Sequence, residues 1–233
     1  MALRRVFVDR VRDSAAVARG KLAHHLARVA RIRPGERVEI SDQAHAYLAV
    51  AESTSPAEVT FRVLEPLPAT PPAPAFDAGL SIIRFRRFEW AMEKLTELGV
   101  RRVVPVIAAR SGANLVASAP SRLRRWRRIA FEAAQQARRL SAPEVLPPQR
   151  FEDAVVRDTV SVRVLVDPSG SPVAQVCDGG PCWFLIGPEG GWTAEEQALA
   201  RTSGCKSACL GRTILRSETA AVAMAAICSS RFA

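Results

Sequence analysis

Between Leu64 and Asp77 the chain reads LEPLPATPPAPAFD, which holds five of its 16 prolines. Proline fixes φ and lacks an N–H, so this density argues against helix or central strand and for an extended, semi-rigid linker. The apolar pattern also changes across it. A domain boundary is therefore expected here, with residues 1–68 on one side and 69–233 on the other.

Before the linker, KLAHHLARVARI (21–32) has helical spacing and is closed by Arg33-Pro34-Gly35. RVEIS, AYLAVAES and EVTFRVLE then alternate over short lengths between turn residues, the pattern of a small antiparallel barrel or sheet. After the linker, helices and strands take turns. FEWAMEKLTELG (88–99) puts Phe88, Ala91, Leu95 and Leu98 on one face and stops at Gly99. The strand VRRVVPVIA follows, then a helix over 121–140 with Leu123, Trp126, Ala130, Ala133 and Ala137 in register. Strands VRVLVDP and CWFLIGP, helix TAEEQALARTSG, strand CKSACLG and an Ala-rich helix from about Glu218 complete the chain. Such alternation predicts an α/β fold with a parallel sheet covered on both faces.

Charge narrows the partners. Lys+Arg is 33 against 23 acidic residues, a net +10, and only Lys21, Lys94 and Lys206 are lysines. Arginine grips phosphate with a planar fork and stacks on bases, so the surplus points to nucleic acid. Arg124, Arg125 and Arg128 on the basic helix, with Arg139 beyond them, are the candidate RNA contacts. Five cysteines (Cys177, Cys182, Cys205, Cys209, Cys228) include no CxxC pair, and the three histidines lie far away, so no metal site is expected. No apolar run approaches the roughly 18–20 residues of a membrane helix, and the first residues lack a signal-like apolar core; a cytoplasmic protein is expected.

Two loops carry the chemistry. In LIGPEGGWTAEE (185–196) a buried strand runs into Gly187-Pro188-Glu189-Gly190-Gly191 and then a helix start. Parallel sheets bind ligands at the carboxyl ends of their strands, and glycines there leave the main chain bare. The loop contains no phosphate-binding fingerprint, and Glu189 would repel a triphosphate; a ligand with a cationic centre suits it better. Thr193 and Glu196 form a capping box, which makes Glu196 structural. In LGRTILRSETAAVAMAAI (210–227) a second strand end passes through Arg212, Arg216, Ser217, Glu218 and Thr219 into a helix. If the two strands are neighbours, the loops meet.

GPEGGWTAEE followed by LGRTILRSETA resembles the paired signature of the RsmE family, the 16S ribosomal RNA uridine-N3 methyltransferases of the SPOUT superfamily. HHLARVARIRPGE, MEKLTELGVRRVVPVIAARS and RIAFEAAQQARRLSAPEV extend the likeness over nearly the whole chain. Three positions depart from the family pattern: Gln135 stands where Glu is usual, Phe85 where Gly is usual, and Gln43 completes what is usually an Asp-Gly turn.

The resemblance implies a SPOUT-type parallel sheet with a C-terminal trefoil knot, a small PUA-like β-barrel before it, and a homodimer. It implies S-adenosyl-L-methionine as cofactor, held by Leu185, Gly187, Pro188, Gly190, Gly191, Leu210, Gly211, Ile214, Leu215 and Thr219. The substrate implied is 16S rRNA of the small ribosomal subunit. Within it Arg216 is the candidate for stabilising the uracil anion, and Glu218 for orienting that arginine or taking the N3 proton; Glu189 is the rival base. A related enzyme acting on another RNA such as tRNA, or an idle rRNA-binding assembly factor, are the alternatives; bare glycine loops are of no use to the latter.

Overall fold

The computed structural model describes residues 3–68, 76–156, 162–177 and 180–230. The chain separates into two units, Met1–Pro71 with Ala134–Ala142, and Pro72–Ala133 with Pro143–Ala233.

In the first unit the strands are β1 (Arg5–Phe7), β2 (Val11–Arg12), β3 (Ala15–Arg19), β4 (Arg37–Ser41), β5 (Ala46–Thr54) and β6 (Glu58–Pro66). Helix α1 (Gly20–His24) continues into a π-turn over His25–Val29. The three alternating segments predicted here form β4, β5 and β6; β1 and β2 are too short to carry a period, and Ala-rich β3 alternates with little contrast. The sheet order is β1-β4-β5-β6-β3-β2, and every pair is antiparallel except β1 with β4. Register shifts between Leu48 and Ala49 and between Ala51 and Ser53 bend the long β5–β6 ribbon, as extra residues in a ladder do. The path keeps two ends among the described residues, so the sheet is curled rather than a closed barrel. Leu26, Val38, Ile40, Val59 and Phe61 fill its concave core. Glu39 is buried between the guanidinium groups of Arg5 and Arg138. Burial and then Arg138 lower the Arg5 pKa, a cost that Glu39 offsets.

The second unit contains β7 (Phe76–Ser81), α2 (Phe85–Glu97), β8 (Arg102–Ile107), α3 (Ala113–Gln136), β9 (Glu144–Val145), β10 (Gln149–Arg150) and α4 (Phe151–Val155). It continues through β11 (Val162–Pro172), α5 (Val173–Val176), β12 (Cys182–Ile186), α6 (Ala194–Thr202), β13 (Lys206–Cys209) and α7 (Ser217–Ser230). All strands are parallel, in the order β10-β8-β7-β12-β11-β13, with β9 on β8. The predicted two-sided cover is visible in β12. Cys182, Phe184 and Ile186 enter the core under α2, α3 and α7, while Trp183 and Leu185 enter the core under α4 and α6. α7 packs on β7, β12 and α2, so after β13 at the sheet's edge the chain returns past the end of β11.

Two expectations are corrected. The linker was drawn too wide: Leu64–Pro66 belong to β6, and Phe76 and Asp77 open β7, a central strand. Its middle, residues 69–75, lies outside the described residues. Phe76 follows the last proline of the run, and Phe76, Ala78 and Leu80 alternate into the core. The basic helix covers 113–136 rather than 121–140. It stops because Arg138 takes a φ of +54°, which ends a right-handed helix and leaves Ala137 exposed.

Candidate active site

The strand ends meet in a cavity of about 280 Å³. Its walls come from Ile186–Trp192 after β12 and Leu210–Ser217 after β13, with Ala220 behind. The strands are not neighbours as expected: β11 lies between them, and Val166, Asp167 and Pro168, midway along it where its register with β13 shifts, supply the third wall. Sequence reading missed these three. The proline just after an alternating strand was the available signal.

Local chemistry fixes the first loop. Gly191 N–H donates to the Pro188 carbonyl at 2.9 Å, and Gly191 has a φ of +67°, which favours glycine. Gly187 is favoured for a different reason, close approach: a Cβ there would sit 3.2 Å from the Trp192 ring, which would have to give way slightly. Trp192 Nε1–H donates to the Val166 carbonyl at 3.1 Å and ties the loop to β11. Arg110 donates to the carbonyls of Gly190 (2.7 Å) and Trp192 (3.2 Å) from outside. The capping box of Thr193 and Glu196 is present, and Glu196 also accepts from Ala109 N–H at 2.8 Å, so that carboxylate is structural.

At β11, burial raises the Asp167 pKa, but hydrogen bonds from the Ser169 side chain and backbone and from Gln197 outweigh it. The carboxyl is held below its ordinary value.

A second cavity of about 710 Å³ adjoins the first and shares Ile214, Leu215 and Arg216 with it. Arg86, Arg87 and Trp90 of α2 and Glu218 and Thr219 of α7 line the rest. Arg87 stands between the two candidate bases. Its Nη1 is 3.6 Å from Glu189 Oε1, and its Nε is 3.6 Å from Glu218 Oε1. Glu218 Oε2 is buried with no hydrogen-bond partner among the described residues. Arg87 was not anticipated. The signal was there, since the stripe Phe88, Ala91, Leu95 faces the core and throws Arg86, Arg87 and Trp90 off to its flanks.

Of the candidate cofactor-binding residues, Gly187, Pro188, Gly191, Leu210, Gly211, Ile214 and Leu215 line the first cavity, and Glu189 and Arg216 join them. Leu185 and Gly190 do not line it: the Leu185 side chain packs in the α4–α6 core, and Gly190 faces Arg110. Thr219 and Glu218 lie in the second cavity. Among the arginines, Arg125 is held bidentately by Glu89 at 2.6 and 2.8 Å, and Arg128 lies 3.7 Å from Glu132. Arg124 is exposed. Arg139 belongs to the first unit, where burial lowers its pKa to about 10. Lys94 bonds Glu97 at 2.7 Å as a helical pair. No group of His, Cys, Asp and Glu among the described residues is placed to hold a metal.

Residues 71–229 match the model of the RNA methyltransferase domain, and residues 19–64 match that of the RNA methyltransferase PUA domain. Ribosomal RNA small subunit methyltransferase E of Mycobacterium bovis is 32% identical over 95% of this chain and 89% of its own length. The Bacillus subtilis protein of that name is 30% identical over 86% of this chain and 84% of its own. The crystal structure of ribosomal RNA small subunit methyltransferase E from Neisseria gonorrhoeae bound to S-adenosyl methionine superposes with a TM-score of 0.88. It is 26% identical and covers 98% of both chains.

Proposed function

Since the chain belongs to the ribosomal RNA small subunit methyltransferase E family, we propose that it methylates N3 of a uridine in the 16S rRNA of the small ribosomal subunit, using S-adenosyl-L-methionine. The observation that carries this reading is a small cavity, walled by the ends of β12 and β13 and the register shift of β11, that adjoins a wider, arginine-lined one.

The first cavity suits the donor on its own chemistry. Val166, Ile186, Leu210 and Leu215 offer apolar contact to a flat base, while Gly187, Gly191 and Gly211 bring bare main chain to the wall. Asp167 and Glu189 on the lining favour a cationic centre over a phosphate. Leu185 and Gly190, which do not line this cavity, hold its walls in place from behind, and Thr219 approaches from the second cavity. When bound, S-adenosylmethionine supplies a methyl group already activated by its sulfonium, so the protein's task is positioning and charge.

Neutral uracil carries a proton on N3 that must leave before the methyl can be accepted. Glu218 accepts that proton, and Arg216 stabilises the negative charge that spreads to O2 and O4. Glu218 is preferred to Glu189 because it lines the wider cavity together with Arg216, whereas Glu189 lines the first. Arg124 and Arg128 hold rRNA phosphates; Arg125 and Arg139 contribute less, being engaged within the protein. We assign residues 1–68 to a PUA-like RNA-binding domain and 69–233 to a knotted methyltransferase domain, acting as a cytoplasmic homodimer.

The test is incubation of pure protein and labelled donor with undermethylated small subunits, naked 16S rRNA and tRNA. Label is expected as N3-methyluridine in small-subunit rRNA, free or assembled. Label confined to tRNA would overturn the substrate.

A further inference from the structure

We infer that Arg110 is a positioning residue of the donor site: its guanidinium fixes the peptide between Gly190 and Gly191, and so presets the wall that the loop after β12 gives the first cavity. This rests on the reading that the first cavity holds the methyl donor.

A peptide between two glycines is the least restrained part of a loop, because neither flanking residue has a Cβ to limit its rotation. Here that peptide is held at both ends. Gly191 N–H donates to the Pro188 carbonyl at 2.9 Å, a bond internal to the turn. The Gly190 carbonyl accepts from Arg110 Nη1 at 2.7 Å, and the same nitrogen donates to the Trp192 carbonyl at 3.2 Å. Arg110 lies 80 positions from Gly190 in sequence, so this second restraint comes from outside the loop. The stem of the side chain adds a steric stop, since a Cβ on Gly190 would lie 3.3 Å from Cβ and Cδ of Arg110. Gly190 accordingly does not line the first cavity, while the next two residues do.

The arginine is itself held. It follows β8, an inner strand of the sheet, in a turn closed from both sides. Ser111 N–H donates to the Ala108 carbonyl at 3.0 Å, and Ala108 N–H donates to Ser111 Oγ at 3.3 Å. Beside it, Ala109 N–H donates to Glu196 Oε1 at 2.8 Å, and Thr193 N–H donates to Glu196 Oε2 at 2.8 Å. The turn after β8 thus grips the donor loop through Arg110 and again through Glu196. A loop ordered in advance spares its ligand the cost of ordering it. An exposed arginine also suits an rRNA phosphate, the rival role; the bonds to two loop carbonyls favour positioning.

The test is calorimetry of the full-length wild type, Arg110→Ala and Arg110→Lys with S-adenosylmethionine and with its demethylated product. Arg110→Ala is expected to bind both about tenfold more weakly, the net worth of roughly one hydrogen bond. Arg110→Lys, which keeps a donor, should recover part of the loss. Millimolar guanidinium should restore affinity to Arg110→Ala and leave wild type unchanged, a rescue that general damage to the fold does not permit. In turnover on undermethylated small subunits the loss should fall on the donor KM rather than on kcat. Unaltered donor affinity in Arg110→Ala, a loss confined to RNA affinity, or a loss that guanidinium and lysine both fail to relieve would overturn the inference. A wild type that binds neither ligand would refute instead the donor site on which it rests.

Discussion

Gln43 takes a φ of +69°, a conformation that costs a non-glycine residue about 1–2 kcal/mol. Its turn is held by Asp42 Oδ1, which accepts from Ala44 and His45 N–H, and by Ser41 Oγ, which accepts from Gln43 N–H. Gln43→Gly would relieve the strain and give back part of it as extra freedom in the unfolded chain. A net gain of roughly 0.5 kcal/mol is expected, read as a higher urea midpoint at unchanged slope; a lower midpoint would contradict the strain. The other two departures from the family pattern also have local explanations. Gln135 Oε1 accepts from Phe7 N–H at 3.1 Å, a bond that needs an oxygen but no charge. Phe85 lies under Arg122, 4.6 Å from its guanidinium carbon, and edge-on to Trp126, so the ring is used for packing where a glycine would leave a gap.

Among the elements, β11 is the one most directly coupled to the site. Its ladder with β13 shifts register between Val166 and Ser171, and the residues this displaces include Asp167, which faces the first cavity. Because the folded-state pKa of Asp167 lies below its ordinary 3.8, the carboxylate contributes stability above that pH. The contribution is lost as pH falls through the lower, folded value. Urea unfolding between pH 5 and pH 3 should therefore show a shallower loss of stability in Asp167→Asn than in wild type. Equal slopes would remove the role given to these hydrogen bonds. The elements also explain what could be read in advance. α2, α6 and α7 were legible because each helix pattern runs over enough residues and ends on a strong stop or start, as α2 does at Gly99, and β12 because it is an unbroken apolar run before the glycine loop. β7 was hidden by the prolines before it, β1 and β2 by their brevity, and β3 by alanines that give its alternation little contrast. In the site, the glycine loops were legible because their residue types are rare. The position of Arg87 off the apolar stripe was legible, but its role was not, since that depends on α2 lying against α7, a contact between residues over a hundred positions apart.

At the scale of the molecule, a curled sheet unit and a parallel-sheet unit share one polypeptide, and residues 134–142, which begin with the last residues of α3, are grouped with the first. A contiguous reading of the chain had no means to see that excursion. The net charge of +10 gives the whole chain a long-range attraction for RNA that should weaken steeply with salt. Chemistry is concentrated where β12 and β13 end and β11 shifts its register, and everything proposed for Arg216 and Glu218 depends on the donor lying there. A crystal structure with S-adenosylmethionine or its demethylated product bound is the most direct test. The ligand is expected between Gly187–Trp192 and Leu210–Ser217, its sulfur facing the cavity of Arg87 and Trp90; a ligand lodged elsewhere, with those loops untouched, would contradict the account.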